Sequence, residues 1–148
     1  MDLVDLVAGT EAIDYKDCHD LLASERIGRL GVVIDGRPDI FPVNYGMDGT
    51  GIVFRTNHGR KLRGVMSGEV VFEVDHVDAE DRSGWSIVVR GQAEDITHFD
   101  SRELKERAGS SWSGPKDVLV RISPTQVTGR RVRGQPASAS PLPGVTAR

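Results

Sequence analysis

The chain has 148 residues, 38% hydrophobic and 28% charged, with a formal net charge of -3, which is one ordinary domain with a modest core. No apolar run approaches the roughly 20 residues a membrane helix needs, and the acidic opening MDLVDLVAGTEAIDYKD lacks the layout of a secretory leader. The acidity argues against a nucleic-acid partner, and the lone Cys18 allows neither an intrachain disulfide nor a CxxC zinc site, so a reducing, cytoplasmic setting without membrane or nucleic acid is the expectation.

Residues 1–13 offer few anchors and read as a loose arm. From Asp14, a natural N-cap, the run DYKDCHDLLASER places Cys18, Leu21 and Leu22 on one side of a short helix. Arg29–Ile34 then changes to a strand, Asp35-Gly36-Arg37-Pro38 is turn chemistry, and Asp39–Tyr45 is a second strand. Pro42 inside it predicts an edge or a bulge. After the turn Met47–Gly51 comes a third strand, Ile52–Thr56, and the three are expected as an antiparallel meander. Residues 57–66 read as a short helix with Leu62, Val65 and Met66 inward. Glu69–Asp75 and Trp85–Ala93 are strands around a polar loop, and Thr97 with Asp100 has capping-box spacing before the helical SRELKER. Residues 117–122 and 126–132 read as two final strands parted by Pro124. Residues 134–148, rich in Pro, Ala and Ser, read as a disordered tail. About seven short strands with a few helices predict a mainly β protein, an antiparallel barrel with peripheral helices. Neither GxGxxG nor GxxxxGK[ST] occurs.

The informative segment is Phe54-Arg-Thr-Asn-His-Gly-Arg-Lys-Leu-Arg63. A helix start attracts acids, yet this one holds Arg55, Arg60, Lys61 and Arg63 and no acid. Such a cluster repels itself unless an anion sits within it, and Thr56, Asn57 and Gly59 add groups able to wrap a phosphate. The plain alternative is a solvated basic turn. His19, His58, His76 and His98 are scattered without metal-ligand spacing, and Cys18 reads as a small buried hydrophobe.

Arg29-Leu-Gly-Val, Pro42-Val-Asn-Tyr45, Phe54-Arg-Thr-x-x-Gly-x-Lys-Leu62, Trp85-Ser-Ile-Val-Val-Arg-Gly-Gln-Ala93 and Arg121-Ile-x-Pro124 follow in that order. Together with Val127-Thr-Gly-Arg-Arg131 they resemble the pyridoxamine 5′-phosphate oxidase-like, FMN-binding split-barrel family across residues 14–133. The resemblance implies a Greek-key split barrel, paired as a homodimer with FMN at the interface. It also implies that Arg55, Thr56, Lys61 and, less directly, Arg60 hold the phosphate. Val43, Asn44 and Tyr45 would then run along the isoalloxazine edge, with Trp85 and Ser86 at the ring. Trp85 read plainly is a barrel-end aromatic, and Arg130 and Arg131 either reach the cofactor or decorate a terminal strand. The pattern stops at Gly129-Arg-Arg-Val-Arg133, without the Arg/His segment by which true pyridoxamine phosphate oxidases hold their substrate's phosphate. The expectation is therefore an oxidoreductase acting on another small organic substrate. Its alternatives are a deazaflavin (F420)-dependent reductase and a flavin- or haem-binding module without turnover.

Overall fold

The computed structural model describes residues 10–99, 101–109 and 118–134. Helix α1 (Tyr15–Ser24) starts where expected: the Asp14 carboxylate accepts from the Asp17 backbone N–H at 2.8 Å. It lays Cys18 and Leu22 on the sheet. Strands β2 (Ile27–Ile34) and β3 (Arg37–Asn44) form a hairpin whose two turn residues, Asp35 and Gly36, have φ of 51° and 78°. Both positive values are what a type I′ turn demands.

The sheet runs β3-β2-β6-β7-β8-β5-β4, with β4 (Gly46–Asp48), β5 (Gly51–Thr56), β6 (Glu69–Val77), β7 (Gly84–Asp95) and β8 (Val118–Val132). All its pairings are antiparallel. Strands β6, β7 and β8 follow one another, and β5, joined to β6 through helix α2 (Arg60–Met66), returns beside β8. That is a Greek key within a curled, mainly β half-barrel.

The expected meander is therefore corrected, because β3 pairs with β2 and β5 crosses to β8. The reason lies on the far edge of β3. In a two-residue hairpin the closing pair, here Ile34 and Arg37, exchanges hydrogen bonds, so the even residues of β3 point their backbone groups outward. Those residues begin Pro38, Ile40, Pro42; the prolines have no N–H, and the Ile40 N–H donates to the Asp39 carboxylate at 2.8 Å. An edge that has lost its donors over Pro38–Pro42 is poorly suited to a ladder with β5.

Other expectations are revised by local geometry. Residues 118–132 form one strand: between Arg90 paired with Gln126 and Gly91 paired with Pro124, Thr125 bulges out, which lets the chain carry Pro124 without breaking. Met66 is exposed, while Gly64 and Val65 are buried. Helix α3 (Arg102–Arg107) is capped by Ser101, whose hydroxyl accepts from the Leu104 N–H at 3.2 Å. Thr97 instead accepts from the Leu119 N–H at 3.0 Å, and Asp100 lies outside the described residues. Thr10–Ala12, within the segment read as an arm, form β1 and pair with β8 at Arg130–Val132. Residues 1–9 of that arm, the loop over 110–114, Asp117 and residues 135–148 of the tail lie outside the described residues.

One apolar cluster fills the curl of the sheet around Phe54, Phe72, Leu30 and Ile87. A smaller one, Val53, Ile96, Ala108 and Leu119, lies on the other face of β5 beneath α3. Cys18 is packed against β8 where Gly129 has no side chain; a Cβ there would lie 2.6 Å from the sulfur.

The Tyr45 hydroxyl donates to the Leu22 carbonyl, and its ring meets Phe72 edge-on at 5.1 Å. Burial pushes the phenol well above its ordinary range; the Glu25 charge adds to this and Arg29 opposes it. A raised folded-state value means that the contribution is complete below the unfolded value of about 10 and is lost as pH climbs toward the folded one. Cys18 is pushed the same way by burial, Asp14 and Asp17. Melting followed by circular dichroism from pH 7 to 11 should thus hold level to about pH 8 and then fall, Cys18 contributing first and Tyr45 from about pH 10. Tyr45→Phe should cost about 1–3 kcal/mol at pH 7, because the Leu22 carbonyl loses its donor, and should flatten the alkaline decline. An unchanged alkaline slope would remove Tyr45 as its cause.

Candidate functional site

The cationic segment straddles the end of β5 and the start of α2. Strand alternation sends Ile52, Phe54 and Thr56 to the main core and Val53 and Arg55 to the opposite face. Thr56 is only 2% exposed and is the buried polar side chain among the described residues. Arg55, half-buried, sits beside Leu119 in register. Thr56 and Arg55 therefore leave β5 in different directions.

Gly59 turns the chain into α2 with φ of 141°, open to a glycine and strained for other residues, and a Cβ built there meets nothing within 4 Å. The helix start carries no acid and no side-chain cap. Arg60 is exposed and Lys61 half-buried, its ammonium 5.3 Å from the centroid of the Phe41 ring. That contact, a cation over an aromatic face, ties the basic turn to β3. The structure thus brings Lys61, with Arg60 beside it, to the strand whose outer edge is open. What it assembles is a pair of cations, Arg60 and Lys61, beside the exposed stretch of β3 that carries Phe41.

Along β3, the side chain of Val43 and that of the following Tyr45 belong to the core. Asn44, half-buried, sits between them. The Tyr45 phenol is held by the Leu22 carbonyl.

Trp85 and Ser86 lie elsewhere. Trp85 pairs with Arg131 and Ser86 with Arg130, whereas Arg55 pairs with Leu119 and Asp95 with Val120 at the other end of the same ladder. Ten residues of β7 separate Trp85 from Asp95, roughly 30 Å along the strand. Trp85 stacks on His76 with centroids 6.5 Å apart, in a groove of about 330 Å³ that Asp78, Arg131 and Arg133 also line. Ser86 alternates to the outer face. Within one chain the two halves of the expected site do not meet.

Sequence reading did not find a second cavity, of about 370 Å³, between the end of α1, the β3–β4 junction and α3; Glu25, Arg26, Asn44, Glu106 and Arg107 are among its walls. Neither did it find Arg29 bridging Glu73 at 2.7 Å and Asp75 at 3.0 Å on the outer face. Burial, and then the neighbouring Asp75 carboxyl, push the Glu73 carboxyl upward while Arg29 opposes them. The alternating acids of β6 were the available signal, but their partner is 44 residues away in sequence. Among the described residues no group of three His, Cys, Asp or Glu side chains is placed to hold a metal, and no helix is long and apolar enough to cross a membrane.

A family model described as pyridoxamine 5′-phosphate oxidase matches residues 14–131. The uncharacterized protein Rv0080 of Mycobacterium tuberculosis is 29% identical over 127 residues, covering 81% of this chain and 84% of that protein. Among solved structures, the FAD-binding protein of Mycobacterium smegmatis is 33% identical with a TM-score of 0.65, over 84% of this chain and 99% of its own. The FAD- and haem-binding protein of the same organism, 18% identical with a TM-score of 0.65 over 88% of this chain and 77% of its own, shares the fold alone. A curled Greek-key sheet and a family match spanning nearly all the described residues lead to one conclusion: this chain belongs to the pyridoxamine 5′-phosphate oxidase-like family of flavin-binding split barrels.

Proposed function

We propose that the protein is a flavin-dependent oxidoreductase that holds FMN between β3 and the β5–α2 turn, at the interface of a homodimer. The observation that carries this reading is the acid-free turn with Lys61 seated over Phe41, in a member of a flavin-binding family. Lys61, Arg60 and the backbone around Gly59 fit a phosphate, and β3 fits the polar rim of a flat ring. FAD, which the Mycobacterium smegmatis relative binds, shares that ribityl phosphate and places the same demand on the turn. When bound, the flavin supplies hydride or electron transfer to a small organic substrate; the chain's part is to fix its phosphate and orient its ring.

The separation of Trp85 and Ser86 from the basic turn supports the dimer. A flavin spans far less than the roughly 30 Å between them along β7, so a site using both draws them from two chains. The outer face of β2 and β3 offers an apolar surface for this contact, with Val33 53% and Ile40 68% exposed.

Lys61→Ala is expected to weaken FMN binding by about 1.5–3 kcal/mol, roughly 10- to 150-fold in Kd, the range for a charge-assisted hydrogen bond. Riboflavin, without the phosphate, should be nearly indifferent. Arg55→Ala should weaken FMN less than Lys61→Ala, because its side chain leaves the other face of β5. Titration by flavin fluorescence measures all three. Equal losses for FMN and riboflavin would refute the phosphate assignment, and tight F420 binding with no flavin binding would move the reading to the deazaflavin.

Light scattering after size exclusion, at micromolar protein with saturating FMN, should return the mass of two chains. Val33→Asp should shift that mass toward one chain and loosen FMN with it. A monomer that keeps full FMN affinity would eliminate the shared site.

A further inference from the structure

Strand β3 ends the sheet, and over Pro38–Pro42 its outer edge has lost its donors while its acceptors remain. Over the outward positions Pro38, Ile40 and Pro42, two residues have no N–H, and the third gives its N–H to the Asp39 carboxylate at 2.8 Å. Their three carbonyls still point outward, because N–H and C=O of one residue in an antiparallel strand share a side. Protection against a stray strand is one reason for such an edge, but a single proline or charge commonly serves that purpose. Here the donor-free stretch brackets Phe41, the residue beneath the Lys61 ammonium, and so lies beside the basic turn.

We infer that this edge recognises its ligand through the ligand's own N–H groups and thereby favours the reduced form of the flavin over the oxidised form. The inference rests on the flavin reading above. The polar rim of an oxidised isoalloxazine carries one N–H, at N3, while N1, O2, O4 and N5 are all acceptors. Uptake of two electrons and two protons places one proton on N1 and one on N5, turning both from acceptors into N–H donors. Facing carbonyls, the oxidised rim sets acceptor against acceptor, and the reduced rim gains a hydrogen bond. Pro38, Asp39 and Pro42 act as positioning residues in this scheme: they decide which backbone groups the ring meets.

The test is a spectroelectrochemical titration of the FMN-loaded protein against free FMN, repeated on Pro42→Ala, which restores an N–H at position 42, and Asp39→Ala, which frees the N–H of Ile40. The intact protein should bind reduced FMN about tenfold more tightly than oxidised FMN, the scale of one net hydrogen bond. That raises the two-electron midpoint by about 30 mV. In each variant the preference should shrink toward unity, because the new donor serves the oxidised acceptors. Looser packing alone would weaken both forms together and leave their ratio in place. A preference of one or below in the intact protein, or a ratio unmoved in both variants, overturns this inference while the flavin reading stands. A protein that takes up no flavin in either state overturns both.

Discussion

Everything in this molecule is referred to β8. It pairs with β7 along most of its length, and its other edge holds β5 at Val118–Ile122 and β1 at Arg130–Val132. Such a long ladder would twist out of contact if it were straight. The bulge at Thr125 bends it, and Gly91 opposite leaves room, since a Cβ there would stand 2.3 Å from the Ser123 carbonyl oxygen. The curl that results gathers the core on one side and leaves β3 and β4 as the two ends of the sheet.

The same strand keeps the two polar ends apart. One end carries Thr56 and the basic turn; the other carries the Trp85–His76 stack with Arg131 and Arg133. The β7–β8 ladder between them runs from Gly84 to Asp95 of β7 and holds the two ends at its opposite limits. Under the function proposed above, a site that used both ends would draw them from two chains. The ion cluster of Arg29, Glu73 and Asp75 lies on the outer face near Val33 and Ile40, where a second chain would find both apolar area and fixed charges to match.

Local chemistry was legible in the sequence. Asp14 as a cap, Asp35-Gly36 as a turn, Pro42 as the mark of an edge and the Trp85 strand all follow from one or two residues acting on their own backbone. What was not legible depends on distant partners. The crossing of β5 to β8 is decided by donors missing from β3 and by a strand more than 60 residues further on. The continuity of β8 through Pro124 needs a bulge that is set by β7. At the candidate site, the cationic turn could be read from its lack of acids, whereas the separation of Trp85 from it could not, because order along the chain does not give distance along a ladder. Thr97 has a cap's chemistry and spacing, yet it is drawn away to the Leu119 N–H while Ser101 does the capping.

The fit of Cys18 against Gly129 has a further consequence. The chain has one sulfhydryl; it is 1% exposed and backed by a glycine that leaves it no slack. A reagent reaches that sulfur only when α1 lifts from β8, so the rate of alkylation under native conditions counts openings of this one seam. The protein carries its own single-site clock for the motion of its helix, without a label having to be introduced.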